Sequence, residues 1–129
     1  YIHILNQTKP YDRKTFEAIV KNGGLGQYKS DWYSDTDAVA REKGYITNYS
    51  QSNVDEDFAE MASFMLVFSK PEYDAIVAAI KNEKARQLIK AKEQIVVAYY
   101  KEQFNIDFYA LVEEANKNSQ LVFNSFNKK

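Results

Sequence analysis

The run from Val54 to Phe68 reads Val-Asp-Glu-Asp-Phe-Ala-Glu-Met-Ala-Ser-Phe-Met-Leu-Val-Phe, and after Asp57 its only ionisable side chain is Glu60. A helix that apolar is buried on most sides. At roughly 100° per residue, Val54, Phe58, Met61 and Met65 share one face, while Glu56, Glu60, Ser63 and Val67 make a narrow stripe opposite. Glu56 and Glu60 are then neighbours one turn apart, and on a solvated helix they would repel by only a few tenths of a kcal/mol. Continuation of the stripe into Ser63 and Val67 predicts that it too faces protein, where an ionised carboxylate without a partner costs several kcal/mol. Glu60 is therefore expected to meet a cation, a strong donor or a metal-ligand network. Glu56 has a second assignment open to it, as the residue three places after an Asn53 N-cap.

The single histidine, His3, lies among Ile2, Ile4 and Leu5, a setting that by itself suits a structural residue. One imidazole and one carboxylate do not make a zinc site, which takes three protein ligands and an open position. The absence of cysteine rules out disulfides, thiol catalysis and thiolate-bound zinc, and leaves open zinc bound by His and carboxylate.

These residues sit in one domain's length of chain: 129 residues with 45% hydrophobic and 15% aromatic side chains, enough for a real core. A mean hydropathy of −0.55 with 27% charged residues excludes disorder and a transmembrane segment. A net charge of −1 (17 Lys plus Arg against 18 Asp plus Glu) argues against a nucleic-acid binder. Four Gly and two Pro leave few breaks, and the patterns between them have helical period. The fold expected is mainly α.

Tyr1 to Asn6 reads as the last turns of a helix begun upstream of a chain that does not open on Met. Helices are expected at Arg13–Asn22, stopped by Gly23 and Gly24, at Thr36–Lys43, closed by Gly44, at Val54–Phe68, from the Ser69-Lys70-Pro71-Glu72 start to Lys81, and at Glu83–Phe104. A last helix, capped by Asn105 or Asp107, is expected to reach Asn116, with Leu121 to Lys129 as a tail. Gly23 to Asp35 reads as an ordered aromatic loop and Tyr45 to Ser50 as an extended segment.

The opening Tyr1-Ile2-His3-Ile4-Leu5-Asn6-Gln7-Thr8-Lys9-Pro10-Tyr11 resembles the end of an H-E-x-x-H helix running into I-L-x-Q-T-K-P-Y, with the first His and the Glu of the motif upstream of Tyr1. With Tyr49 and Glu56-Asp57-Phe58-Ala59-Glu60-Met61 it is similar to the substrate import-associated zinc metallohydrolase lipoproteins of the Bacteroidetes, a metallopeptidase family. This likeness extends over most of the chain. A tyrosine seven residues before a Glu-x-x-x-Glu helix also looks like the lethal-factor type of zinc peptidase, over a much shorter stretch.

The resemblance implies a gluzincin, with Zn²⁺ held by the two His of H-E-x-x-H and a Glu from a later helix, and the motif Glu as general base. His3 matches the second histidine ligand and Glu56 the carboxylate ligand. Tyr49 matches the donor to the tetrahedral oxyanion, and Glu60 would orient a ligand or donor from behind. On this reading residues 1–129 are one domain, the C-terminal helical part of a zincin-like domain, and the fragment alone is inactive. The same likeness implies a peptide or protein substrate, an envelope lipoprotein and import components of the outer membrane as partners. Loss of the sheet-bearing half would expose apolar surface around His3 and favour oligomers. The competing expectation is an accessory module whose Tyr28, Trp32, Tyr33, Tyr45 and Tyr49 form an aromatic surface for a glycan or peptide, or else fill the core.

Overall fold

The computed structural model describes residue 2, residue 6 and residues 9–127, with side chains as far as residue 117. Six helices follow Ile2 and Asn6, both helical: α1 (Arg13–Gly23), α2 (Asp37–Arg41), α3 (Val54–Val67), α4 (Lys70–Ala78), α5 (Glu83–Phe104) and α6 (Phe108–Asn127). Trp32–Ser34 and Tyr49–Gln51 form single 3-10 turns, and no strand occurs among the described residues. The protein is mainly α, as its periodicity predicts.

The helices begin where a side chain can take up orphaned first-turn amides. Asp12, Thr36, Asn53 and Asn82 accept from the amides of Thr15, Val39, Glu56 and Ala85. Ser69 and Glu72 form a reciprocal capping box around Pro71. Asp107 Oδ1 accepts from the amides of Tyr109 and Ala110 at 3.0 and 3.3 Å. α5 has the span expected and ends at Asn105, whose φ of 53° is the left-handed stop. α6 passes the expected end at Asn116 and reaches Asn127, because no Gly or Pro lies in its path.

α3 crosses the middle of the molecule and packs on α1, α5, α6 and the Tyr49 turn. Its Val54, Phe58, Met61 and Met65 are buried, as expected. Phe58 stacks on Tyr11 with centroids 4.0 Å apart and meets Phe16 and Tyr99 edge-on at 5.6 and 5.3 Å. The opposite stripe is not packed against protein throughout: Val67 is 72% exposed, and Glu56, Glu60 and Ser63 face a cleft.

The carboxylate that is fully buried is Asp57, not Glu60. Asp57 is 0% exposed and lies between the two faces of the helix, turned toward α5, where Lys92 is 1% exposed. Lys92 Nζ donates to Asp57 Oδ2 and to the Gly44 carbonyl, both at 2.7 Å, and stands 4.3 Å from the centre of the Tyr45 ring. The Tyr28 hydroxyl donates to the same Oδ2 at 2.8 Å. Burial pushes the Asp57 carboxyl up and the Lys92 ammonium down, and each opposes that pressure on the other.

Between α1 and α3 the chain is held by side-chain ties. Asp35 accepts from Lys29 and Lys43 at 2.9 and 3.0 Å, while its carbonyl accepts from Asn48 Nδ2. Asp37 Oδ1 accepts from the Asn48 amide at 2.8 Å. Tyr45 to Ser50, expected to be extended, instead bends into the Tyr49–Gln51 turn, because the amides of Thr47 and Ser50 go to each other's hydroxyls rather than to a neighbouring strand. Gly44 ends the turn that follows α2 at φ 91°, a backbone conformation that favours glycine, and a Cβ there would stand 2.8 Å from the Leu88 side chain of α5. Glu42 reaches forward to accept from the amides of Lys81 and Asn82 at the start of α5.

Phe58→Ala leaves a cavity inside the aromatic cluster and should cost about 3–5 kcal/mol, read from urea denaturation. The two ammonium groups hold the Asp35 carboxyl down to about 2, below the ordinary value of about 4 expected of the unfolded chain. A depressed carboxyl stabilises the fold above the unfolded value and loses that contribution as pH falls through the folded one. The difference in thermal midpoint between the parent and Asp35→Asn should therefore be constant near neutrality and shrink below about pH 4, and a difference that grows on acidification would refute the assignment.

Candidate active site

The first two turns of α3 bring the sequence-nominated residues to one place. Glu56 and Glu60 lie one turn apart, both partly exposed, and Tyr49 arrives from the 3-10 turn that precedes the Asn53 cap. Tyr49 and Glu56 line the same cleft, close enough for the Glu56 charge to act on the phenol. The Asn53 cap binds the Glu56 backbone amide at 2.9 Å and leaves its carboxylate on the cleft.

Tyr49, Glu56, Glu60, Ser63 and Leu66 line a cleft of about 250 Å³ whose far wall includes Ile2. A second cavity of about 650 Å³, bordered by Tyr11, Arg13 and Asp55, meets the first at Glu56. The Glu56 charge, followed by burial, raises the Tyr49 hydroxyl above its ordinary value, with a smaller contribution from Glu60. Tyr49 is thus a protonated donor at neutral pH. Glu60 has the donor its position calls for, the Thr47 hydroxyl at 3.3 Å, and partial burial raises its carboxyl. Of the partners open to Glu60 it meets a donor, while the buried cation, Lys92, pairs with Asp57. Asp57 is one residue from Glu56, and the stripe pattern alone did not single it out.

His3 lies outside the described residues. Among those described, no three His, Cys, Asp or Glu side chains are grouped to hold a metal. The donors that are present, two carboxylates and a phenol, fit one ligand position of a zinc site, since a carboxylate oxygen is a normal zinc ligand. Glu56 suits that position, standing at the junction of two cavities with a hydrogen-bond donor beside it.

The aromatic residues divide. Tyr45 is 1% exposed and Tyr28 is turned inward onto Asp57, so these two belong to the core and do not join a common binding surface. Trp32 packs edge-to-face on Tyr49 at 4.8 Å, and Tyr33, 70% exposed, packs on Trp32 at 5.8 Å. Trp32 therefore braces the ring that shares the cleft with Glu56, a role the sequence did not disclose.

No curated protein matches the chain. A crystal structure described as "a putative zinc-binding metallo-peptidase from Bacteroides caccae ATCC 43185" superposes with a TM-score of 0.78 at 25% identity, over 89% of this chain. This chain spans 42% of that one. The model of the family described as "Putative zinc-binding metallo-peptidase" matches residues 1–109, which include the cleft, Tyr49, Glu56 and the buried Asp57–Lys92 pair. The chain belongs to that family.

Proposed function

We propose that these residues form part of a zinc-dependent peptidase centre of gluzincin type, to which the chain contributes a carboxylate ligand, Glu56, a second ligand, His3, and an oxyanion donor, Tyr49. The cleft that Tyr49 and Glu56 share carries the reading, because it sets a protonated phenol beside the one carboxylate that borders both cavities. Zinc in such a centre polarises the scissile carbonyl and activates water. Tyr49 supplies what the metal does not: a preorganised donor for the charge that develops on the carbonyl oxygen. Trp32 limits the freedom of that ring, so little reorganisation is needed at the moment of reaction. Glu60, held by Thr47, keeps the cleft floor polar beneath Glu56. The two cavities that meet at Glu56 give a peptide room on either side of the bond to be cleaved.

The first histidine ligand of the motif and the general base would lie upstream, as the resemblance to an H-E-x-x-H helix implies, so residues 1–129 alone are inactive on this proposal. The test uses the full-length native protein. Glu56→Gln should weaken zinc binding by more than about tenfold, measured by competition with a chelating dye. Tyr49→Phe should leave zinc affinity unchanged while kcat on a fluorogenic peptide library falls about 10²–10³-fold with little change in KM. Unaltered zinc affinity in Glu56→Gln would sink the proposal.

A further inference from the structure

Lys92 is buried with no exposed atom to speak of, yet it spends its donors on two separate stretches of chain. One hydrogen bond goes to Asp57, the residue directly after Glu56, and another to the carbonyl of Gly44, five residues before Tyr49. Lys92 therefore touches the chain on both sides of the Tyr49–Glu56 segment that lines the cleft. The ammonium also lies over Tyr45 and 5.7 Å from the centre of the Phe16 ring, and Tyr28 supports the Asp57 oxygen from the other side.

Stability alone does not explain the arrangement. An apolar pair of similar volume would fill the same space without desolvating two charges. Asp57 Oδ1 is buried and has no hydrogen-bond partner, which adds to the cost. What the ion pair provides and an apolar pair does not is direction, since hydrogen bonds fix angle and distance whereas apolar contact tolerates sliding and rotation. Direction matters on α3, where Asp55, Glu56 and Asp57 are consecutive. A rotation by one residue, roughly 100°, would offer Tyr49 the wrong carboxylate.

We infer that Lys92 is a positioning residue of the candidate active site. By joining the Gly44 carbonyl to Asp57 it sets the rotation of α3 against the segment leading to Tyr49, so that Glu56 is the carboxylate that opens onto the cleft beside the phenol. Its relevance to catalysis rests on the peptidase reading above, but the geometric claim does not.

Two variants test it: Lys92→Met with Asp57→Leu, which removes both charges at similar volume, and Lys92→Arg, which keeps the charge but changes the shape of the donor. The readouts are the urea midpoint, the nuclear Overhauser contacts between the Trp32 and Tyr49 rings, and the Tyr49 ¹³Cζ shift, assigned with Tyr49→Phe. The double variant also leaves the Gly44 carbonyl and the Tyr28 hydroxyl without partners, so it should fold with a midpoint at or moderately below the parent's, while the ring contacts are lost and the ¹³Cζ signal moves to the value of a solvated tyrosine. Lys92→Arg should fold and show the same loss in milder form. In the full-length protein the double variant should lower kcat about tenfold or more with KM changed less than about twofold.

A folded variant of either kind with unchanged Tyr49 signals would overturn the inference. Failure of both to fold would overturn it too, in favour of a purely structural clamp. The two spectroscopic signals need neither metal nor substrate. A protein that binds no zinc would therefore refute the functional reading while these signals still decide the role of Lys92.

Discussion

The constraint on which the structure turns is that α3 must be buried along nearly its whole length while carrying four carboxylates in its first two turns. Three of these, Asp55, Glu56 and Asp57, fall at the helix N-terminus, where the backbone dipole and unpaired amides favour negative charge. Each then meets a different environment. Asp55 turns outward and accepts from the Tyr11 hydroxyl at 2.7 Å and from Arg13 at 3.3 Å. Asp57 turns inward to Lys92, and Glu56 and Glu60 face the cleft. Surface pairs such as Arg13–Asp55 contribute little, whereas removing one partner of a buried pair costs about 3–5 kcal/mol. The interior pair is accordingly the one that the surrounding packing must respect.

Helix starts were the most legible feature of the sequence, because capping is local chemistry. Asn53 and the Ser69–Glu72 box act where their types and spacing place them. Helix ends were less so, as α6 shows, because without a breaker the end depends on what the helix packs against. The Tyr45–Ser50 segment was misread because its aromatic and β-branched residues favour a strand only if a partner strand exists. Thr47 and Ser50 satisfy each other instead, and Arg41 Nε takes the Ile46 carbonyl at 2.9 Å.

At the site, the spacing of Tyr49 and Glu56 was readable, and the fold sets both on one cleft. The position of the buried charge was not. Asp55, Glu56 and Asp57 differ by single steps around the helix, and only a partner 35 positions away along the chain, Lys92, decides which of them is drawn inside. Lys92 falls on the apolar stripe of α5, a pattern that registers hydrophobic neighbours and is silent about the charge among them. Trp32 escaped notice as a brace for the same reason: its partner ring lies on another turn.

Glu42 gives the molecule a property that no single helix has. The entrance of α5 is held at two points, locally by the Asn82 side chain on the Ala85 amide and remotely by the Glu42 carboxylate on the Lys81 and Asn82 amides just ahead of the helix. Fraying at that entrance would therefore leave the Glu42 carboxylate without its amide partners as well as freeing backbone amides, and the cost would reach the stretch that leads to Tyr49. The long helix and the tyrosine-bearing loop are coupled in this way into one cooperative unit, whose opening is a sub-global event rather than local breathing.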